Sequence, residues 1–124
     1  MSDEILYQDL TGKIIGVCLE VHHELGHGFL ESVYENALVI ALRDSGLKVG
    51  RQVRFDVRFR DQTVGDFVAD LIVENTVIVE IKAAGQLRPE HEAQVLNYLK
   101  ATGIRVGLLV NFGKPKMEIK RFIF

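Results

Sequence analysis

Two apolar runs, Asp66–Val73 and Val77–Ala83, stand three residues apart, and each carries charge inside it, at Asp70 in the first and at Glu80 and Lys82 in the second. The spacer Glu74-Asn75-Thr76 is too short for a crossover, so the two runs pair as an antiparallel hairpin. Runs this rich in Val, Ile and Leu are strands covered on both faces. Strand side chains alternate, which puts Glu80 and Lys82 on the face of Ile78, opposite Val77, Val79 and Ile81. By the same rule Asp70 shares a face with Val68 and Ile72, while Phe67, Ala69, Leu71 and Val73 take the other. A three-residue loop at 74–76 sets Asp70 directly opposite Glu80. A two-residue loop sends them to opposite faces, because a one-residue slip inverts the side. A buried Glu–Lys pair or a wet sheet face is the bland explanation. Burying charge is costly, and a buried ion pair is often no better than an apolar replacement, so a functional site explains the pattern better than stability does.

The rest of the chain supplies the cover. Ile14, Val17, Cys18, Val21 and Leu25 mark a helical stripe over residues 10–25, ended by Gly26-His27-Gly28. A second helix runs from Leu30 to Ser45, with Val33, Tyr34, Ala37, Leu38, Ala41 and Leu42 on one side and Gly46 closing it. Glu31 lies three before Tyr34 along that inward stripe, although the helix dipole alone would favour an acid in a first turn. The period then changes to two. Val53, Phe55, Val57 and Phe59 alternate with Arg54, Asp56, Arg58 and Arg60, a half-buried strand followed by a turn over Arg60–Gly65. Pro89 opens a third helix, 89–102, which Gly103 ends and which aligns Gln94 and Tyr98 at i, i+4. Arg105–Asn111 and Met117–Phe124 complete the strands. The order ααβββαββ predicts an α/β fold, a small mixed β-sheet flanked by helices, in one domain spanning 1–124.

Composition excludes little. At 48% hydrophobic and 26% charged the chain reads as soluble and globular, and no apolar run reaches the ~20 residues of a membrane span, so no membrane partner is expected. The acidic start MSDEILYQDL is unlike a signal peptide, and Cys18, the only cysteine, cannot form an intrachain disulfide, so a cytoplasmic location is expected. The net charge of −2 does not mark a nucleic-acid binder, but its distribution is bipolar. Residues 1–40 carry seven acids and one base, whereas 100–124 carry six bases and one acid, which allows a basic face beside an acidic pocket. The apolar end Arg121-Phe122-Ile123-Phe124 would form an edge along which a second copy could pair, giving a homodimer.

Taken in order, these residues resemble a known family. Gly28-Phe-Leu-Glu31-Ser-Val-Tyr34 is similar to the signature of the GxxExxY proteins. Asp70 followed by Glu80-Ile81-Lys82 resembles the core of the PD-(D/E)XK nuclease superfamily, with Ala69 where the superfamily name has proline. Gln94-Val-Leu-Asn-Tyr98 is similar to the QxxxY helix motif of its RecB-like branch. The resemblance runs from about residue 10 to the C-terminus. It implies a restriction-endonuclease-like core and a metal-dependent nuclease acting on nucleic acid, with DNA the expected polymer. Asp70, Glu80 and the Ile81 carbonyl would hold Mg²⁺ or Mn²⁺, with Glu31 bound directly or through water. Such oxygen ligands suit these hard ions. Lys82 would orient the attacking water or steady the transition state. Gln94 would hold a water or a scissile-strand oxygen, and Tyr98 would pack beneath the site or touch the backbone. Arg54, Arg58 and the C-terminal bases are candidate phosphate contacts.

Two other functions compete. The fold could serve as a non-catalytic module that binds nucleic acid or a protein partner. His23-Glu24-Leu25-Gly26-His27 also spells the HExxH zinc-peptidase string. That chemistry needs both histidines on one unbroken helix plus a third ligand, and Gly26 should end the helix first.

Overall fold

The computed structural model describes residues 3–124, and side chains from Tyr7 onward, so Met1 and Ser2 of the acidic start lie outside the described residues. Helices α1 (Asp3–Leu25) and α2 (Glu31–Asp44) come first. Three strands follow, β1 (Val49–Phe59), β2 (Gln62–Val73) and β3 (Val77–Lys82), then α3 (Pro89–Thr102), β4 (Val106–Asn111) and β5 (Glu118–Ile123). The strands form one sheet in the order β1-β2-β3-β4-β5. Only β3 and β4 run parallel, and α3 is the crossover that this pairing requires. The expected order ααβββαββ is the order observed.

The sheet is covered on both sides. Ile14, Val17, Cys18 and Val21 of α1 and Tyr34, Leu38 and Leu42 of α2 pack with Leu71, Val79, Ile81, Leu108 and Val110. Leu99 of α3 packs on the other face with Ala69, Ile72 and Ile78, flanked by Val53, Phe55, Phe67 and Tyr98. This is why β3 and β4 are buried along almost their whole length. Burial also pushes the Cys18 thiol up to about 12, so this cysteine is a packing residue.

Two local expectations need correction, and one open alternative is resolved. First, β1 starts at Val49 rather than Val53, and the turn shrinks to Arg60-Asp61, both with φ near +50 to +60°, so β2 starts at Gln62 rather than Asp66. Two left-handed residues make a tight hairpin turn whose twist matches the strands, and neither Arg nor Asp advertises it as Asn-Gly would. Second, the 74–76 loop has three residues. Val73 pairs with Val77 and Leu71 with Val79, which carries Asp70 toward Glu80. Third, simple alternation fails along β2. Leu71 and Val73 face the α1–α2 layer, but Phe67 and Ala69 join Ile72 on the α3 side. The slip falls at Asp70. There the β1–β2 pairing skips from Arg51↔Leu71 to Val53↔Ala69, and the unpaired Gln52 has φ +50°. Arg51 accordingly reaches Glu35 of α2 while Val53 packs toward α3. The register is the same on both sides of Gln52, and the shift in this pairing lies between Val57 and Arg58, so the left-handed turn of the backbone at Gln52, not an inserted residue, marks where the side changes, and period-two reasoning cannot see it.

The α1–α2 joint accounts for the glycines at 26 and 28. Gly26 (φ +71°) donates its N–H to the His22 carbonyl at 2.8 Å and ends α1, and Gly28 (φ +111°) carries the reversal. Inside the joint, the Tyr34 hydroxyl donates to the Gly26 carbonyl at 2.7 Å and accepts from the Phe29 N–H at 3.2 Å. The Tyr34 ring, fully buried, stacks on Phe112 with centroids 4.8 Å apart. Replacing Tyr34 by Phe keeps the stacking but strands both backbone groups, and chemical denaturation should show a loss of about 1–3 kcal/mol. At the far end of the sheet a Cβ on Gly113 would lie 2.4 Å from the Ala84 nitrogen and oxygen. Gly113→Ala should therefore cost about 1–3 kcal/mol by the same measurement, and an unchanged midpoint would contradict this packing.

Candidate functional site

The site grows out of the place where β2 and β3 part. The last backbone partners before it are Leu71 and Val79. Beyond them two side chains substitute for the ladder. Glu80 Oε1 accepts the Asp70 N–H at 3.0 Å, and Asp70 Oδ2 accepts the Ile81 N–H at 2.8 Å. Each acid thus caps an amide of the opposite strand, which satisfies buried donors while the strands separate. Glu80 is almost fully buried, at 3% exposed, whereas Asp70 is half-buried.

The two carboxyl groups lie close enough for each to feel the other's charge. Burial first, and the Asp70 charge second, push the Glu80 carboxyl up to about 8, although Lys82 pulls the other way. Two like charges this close do not both ionise comfortably. The pair therefore suits a proton or a cation between its oxygens. Its donors are hard oxygens, so the residues present fit a divalent ion such as Mg²⁺.

Lys82 lies two residues beyond Glu80 on the α3 face. Its Nζ donates to Gln94 Oε1 at 3.3 Å, and Gln94 Nε2 donates to the Tyr98 hydroxyl at 2.9 Å. The i, i+4 spacing on α3 makes that relay. Tyr98 is anchored in turn by its ring, stacked on Phe67 with centroids 3.9 Å apart. Partial burial raises the Tyr98 phenol above its ordinary range, and the Glu80 and Asp70 charges add to the effect. Lys82, Gln94 and Tyr98 thus come together with Asp70 and Glu80.

Glu31 is placed differently from the inward position its spacing suggested. It opens α2, its side chain is exposed, and the buried stripe begins at Tyr34. It remains within the field of the site. Partial loss of hydration raises its carboxyl above the ordinary range, Lys82 lowers it, and Asp70 and Glu35 raise it again. Glu35, one turn on, accepts from Arg51 at 3.1 Å and from the Gln52 side chain at 2.6 Å, so α2 is pinned to the irregular step of β1 opposite Asp70. Among the described residues no three His, Cys, Asp or Glu side chains are gathered closely enough to form a ready metal cage. Asp70 and Glu80 form the pair, and Glu31 stands at its rim.

The remaining candidates divide. Arg54 forms an ion pair with Asp66, and the Arg58 guanidinium donates to the Asp61 carbonyl and, at 3.5 Å, to Thr63 Oγ1. Lys120 is bonded to Glu92 at 2.8 Å and Lys114 lies 3.7 Å from Glu118. The HExxH string is divided by the end of α1 at Leu25, with His23 on the helix and His27 exposed beyond the Gly26 turn. The two histidines are not at i, i+4 of one helix, as zinc would require.

Sequence reasoning missed Asn111. It pairs with Lys82 across β3 and β4 and is fully buried. Its Oδ1 accepts from the N–H of Ala84 (2.9 Å) and of Gly113 (3.0 Å). Its Nδ2 donates to the Ala84 carbonyl (3.0 Å) and to Glu118 (3.1 Å). All four hydrogen-bonding positions of the amide are used, and the segment after Lys82 is clamped. The available signal was a polar residue ending an otherwise apolar strand.

The raised Glu80 carboxyl has a consequence for stability. Between the ordinary glutamate range and about 8 the folded protein holds a proton that the unfolded chain releases, so stability falls as pH rises through that window. In EDTA, the melting temperature should drop from about pH 5 to about pH 8, and Glu80→Gln should flatten the slope and melt higher at the upper end. Parallel pH profiles for the two proteins would show that Glu80 ionises normally.

Comparison with known proteins bears on the fold and the family. No curated protein matches the chain. Solved structures do match, among them the crystal structure of SSO0001, with a TM-score of 0.63 at 15% identity over 97% of this chain. That likeness is one of fold, and the chain spans 61% of the length of that protein. The family described as the PD-(D/E)XK nuclease superfamily matches residues 8–122. Because that match spans nearly the whole length, the chain belongs to the PD-(D/E)XK nuclease superfamily.

Proposed function

We propose that this chain is a metal-dependent nuclease of the GxxExxY kind that hydrolyses phosphodiester bonds of nucleic acid, with DNA the expected polymer. The observation that carries the reading is the Asp70–Glu80 carboxyl pair, half-buried and buried respectively, beside Lys82, which is itself held by Gln94. Asp70, Glu80 and the Ile81 carbonyl would hold Mg²⁺ or Mn²⁺, with Glu31 joining from the rim directly or through water. A bound divalent ion would lower the pKa of a water and offset charge on the phosphate.

The chain's own groups do the rest. Asp70 and Glu80, bonded to each other's backbone, keep their oxygens in place without a large rearrangement. Lys82 Nζ, fixed by Gln94 Oε1, is placed to orient the attacking water or to neutralise the phosphoryl oxygens as charge builds. Gln94 is locked by Tyr98, so its amide presents its oxygen to Lys82 and its nitrogen to the phenol. Tyr98 acts as a support for Gln94. The α1–α2 joint carries Glu31 to the rim, which is the use we assign to the Gly28–Glu31–Tyr34 spacing.

A second reading has its own support. The bonds from Asp70 and Glu80 to backbone amides are also what a purely structural role would need, as in a nuclease-fold module that binds nucleic acid or a protein partner without turnover. One experiment separates them. Purified protein is incubated with single-stranded, double-stranded and branched DNA and with RNA, with Mg²⁺, Mn²⁺ or EDTA, beside Lys82→Ala. Ion-dependent cleavage that falls at least about a hundredfold in Lys82→Ala is the expected result, in line with loss of a transition-state contact. Cleavage unchanged in that variant sinks the assignment. Mg²⁺ should also raise the melting temperature of the wild type and not of Glu80→Ala. No ion-induced shift, together with no cleavage, favours the module.

A further inference from the structure

Outside the acidic pair, the α3 face of the β1–β2 hairpin holds a cavity of about 460 Å³. Arg58, Phe67, Asn97, Tyr98 and Lys100 contribute to its lining, and no acidic residue does. Three features make it more than a surface dent. Its volume lies in the range of small-ligand pockets. Part of its wall is a ring pair, since Phe67 and Tyr98 stack in near-parallel planes, 11° apart, with Phe55 continuing the stack behind Phe67. Its rim carries two exposed cations, Arg58 and Lys100, one from β1 and one from α3. The Arg58 guanidinium is held toward the hairpin turn by Thr63 and the Asp61 carbonyl, neither of which neutralises it.

The cavity adjoins the site through one shared residue. Tyr98 lines it, and the Tyr98 hydroxyl accepts from the Gln94 amide that holds Lys82. Two side-chain hydrogen bonds, Lys82 to Gln94 and Gln94 to Tyr98, connect the lysine to this wall. A flat, partly apolar group would be buried against the rings, an attached anion would meet Arg58 and Lys100, and the Asn97 amide offers both a donor and an acceptor at the edge. An unpaired nucleotide combines those parts: base, edge and phosphate. A base still paired in a duplex cannot leave its stack to enter the cavity without an unpairing cost.

We infer that this cavity is a subsite for one unpaired nucleotide adjoining the scissile phosphate, so that the protein selects single-stranded or frayed nucleic acid over a blunt duplex. The inference rests on the reading of the neighbouring acidic site as one that acts on nucleic acid. Arg58 and Lys100 hold the flanking phosphates, and the Phe67–Tyr98 wall holds the base.

Binding rather than cleavage tests it. Fluorescence anisotropy in EDTA measures the affinity of a short labelled single-stranded DNA and of a blunt duplex of matching sequence. The probes are titrated with wild type, an Arg58→Ala/Lys100→Ala double variant, and Ala101→Trp, which fills the cavity from an exposed position. Wild type should prefer the single strand. Ala101→Trp should bind that strand at least about tenfold more weakly while holding the duplex within about twofold, and the double variant should lose at least about tenfold for the strand and clearly less for the duplex. The salt dependence of the double variant should be shallower by about 1.4 in log–log slope, for two lost phosphate contacts. Equal loss for strand and duplex, or no loss for either variant, overturns the subsite. If Ala101→Trp fails to fold, the double variant decides, because its side chains are exposed. Lys82→Ala separates the two readings. Single-strand binding that persists there without any wild-type cleavage sinks the nuclease and leaves the subsite standing. Cleavage of blunt duplex by a wild type with no single-strand preference does the reverse.

Discussion

Two backbone amides, those of Asp70 and Ile81, have no carbonyl partner in the antiparallel ladder once β2 and β3 part, and the carboxylates of Glu80 and Asp70 accept them instead. An unpaired buried N–H is expensive, so the split in the sheet exists only while both acids are there to close it. The same closure buries Glu80 beside Asp70, and burial first and the Asp70 charge second raise the Glu80 carboxyl to about 8. Sheet architecture and site electrostatics are therefore one problem. The strands separate because the acids cap them, and the acids crowd because the strands hold them.

Much of the surrounding structure serves to hold that split from its two faces. On one side, Tyr34 ties the α1–α2 joint to Phe112, and the Phe112 N–H donates to the Lys82 carbonyl at 2.8 Å, so the start of α2 is indexed to the end of β3. On the other, α3 brings Gln94 to Lys82 and anchors Tyr98 on Phe67. Asn111 closes the far end by using every hydrogen-bonding position of its amide on the segment that follows Lys82. Rigid elements thus carry each polar group, which is what a preorganised site needs.

The irregular step opposite Asp70 shows how a local backbone feature reaches the site. Gln52, at φ +50°, breaks the β1–β2 pairing and turns Arg51 toward α2 and Val53 toward α3. Glu35 takes hold of both Arg51 and Gln52, one helical turn from Glu31. The helix that carries the rim acid is therefore tied to the strand step that lies opposite Asp70.

Residue patterns alone determined the element order, the hairpin between β2 and β3 and the cover on both faces, and the family resemblance supplied the expected grouping of Asp70, Glu80, Lys82, Gln94 and Tyr98. Hydrophobic period and helix-ending glycines are local signals, and charge inside a buried strand is conspicuous wherever it lies. Tertiary structure decided the rest. Whether Asp70 meets Glu80 hung on one residue of loop length, and a single residue inverts a strand. The side on which Phe67 and Ala69 lie depended on a positive φ in the neighbouring strand. Glu31 came to the rim instead of the interior because the Tyr34 anchor, not helical spacing, sets the roll of α2. Asn111 offered only a polar end to an apolar strand, because three of its four bonds go to residues 27 and 7 positions away that become neighbours only when β4 lies beside β3 and β5. Long-range pairing brings these groups together, and nothing in a local window of sequence encodes it.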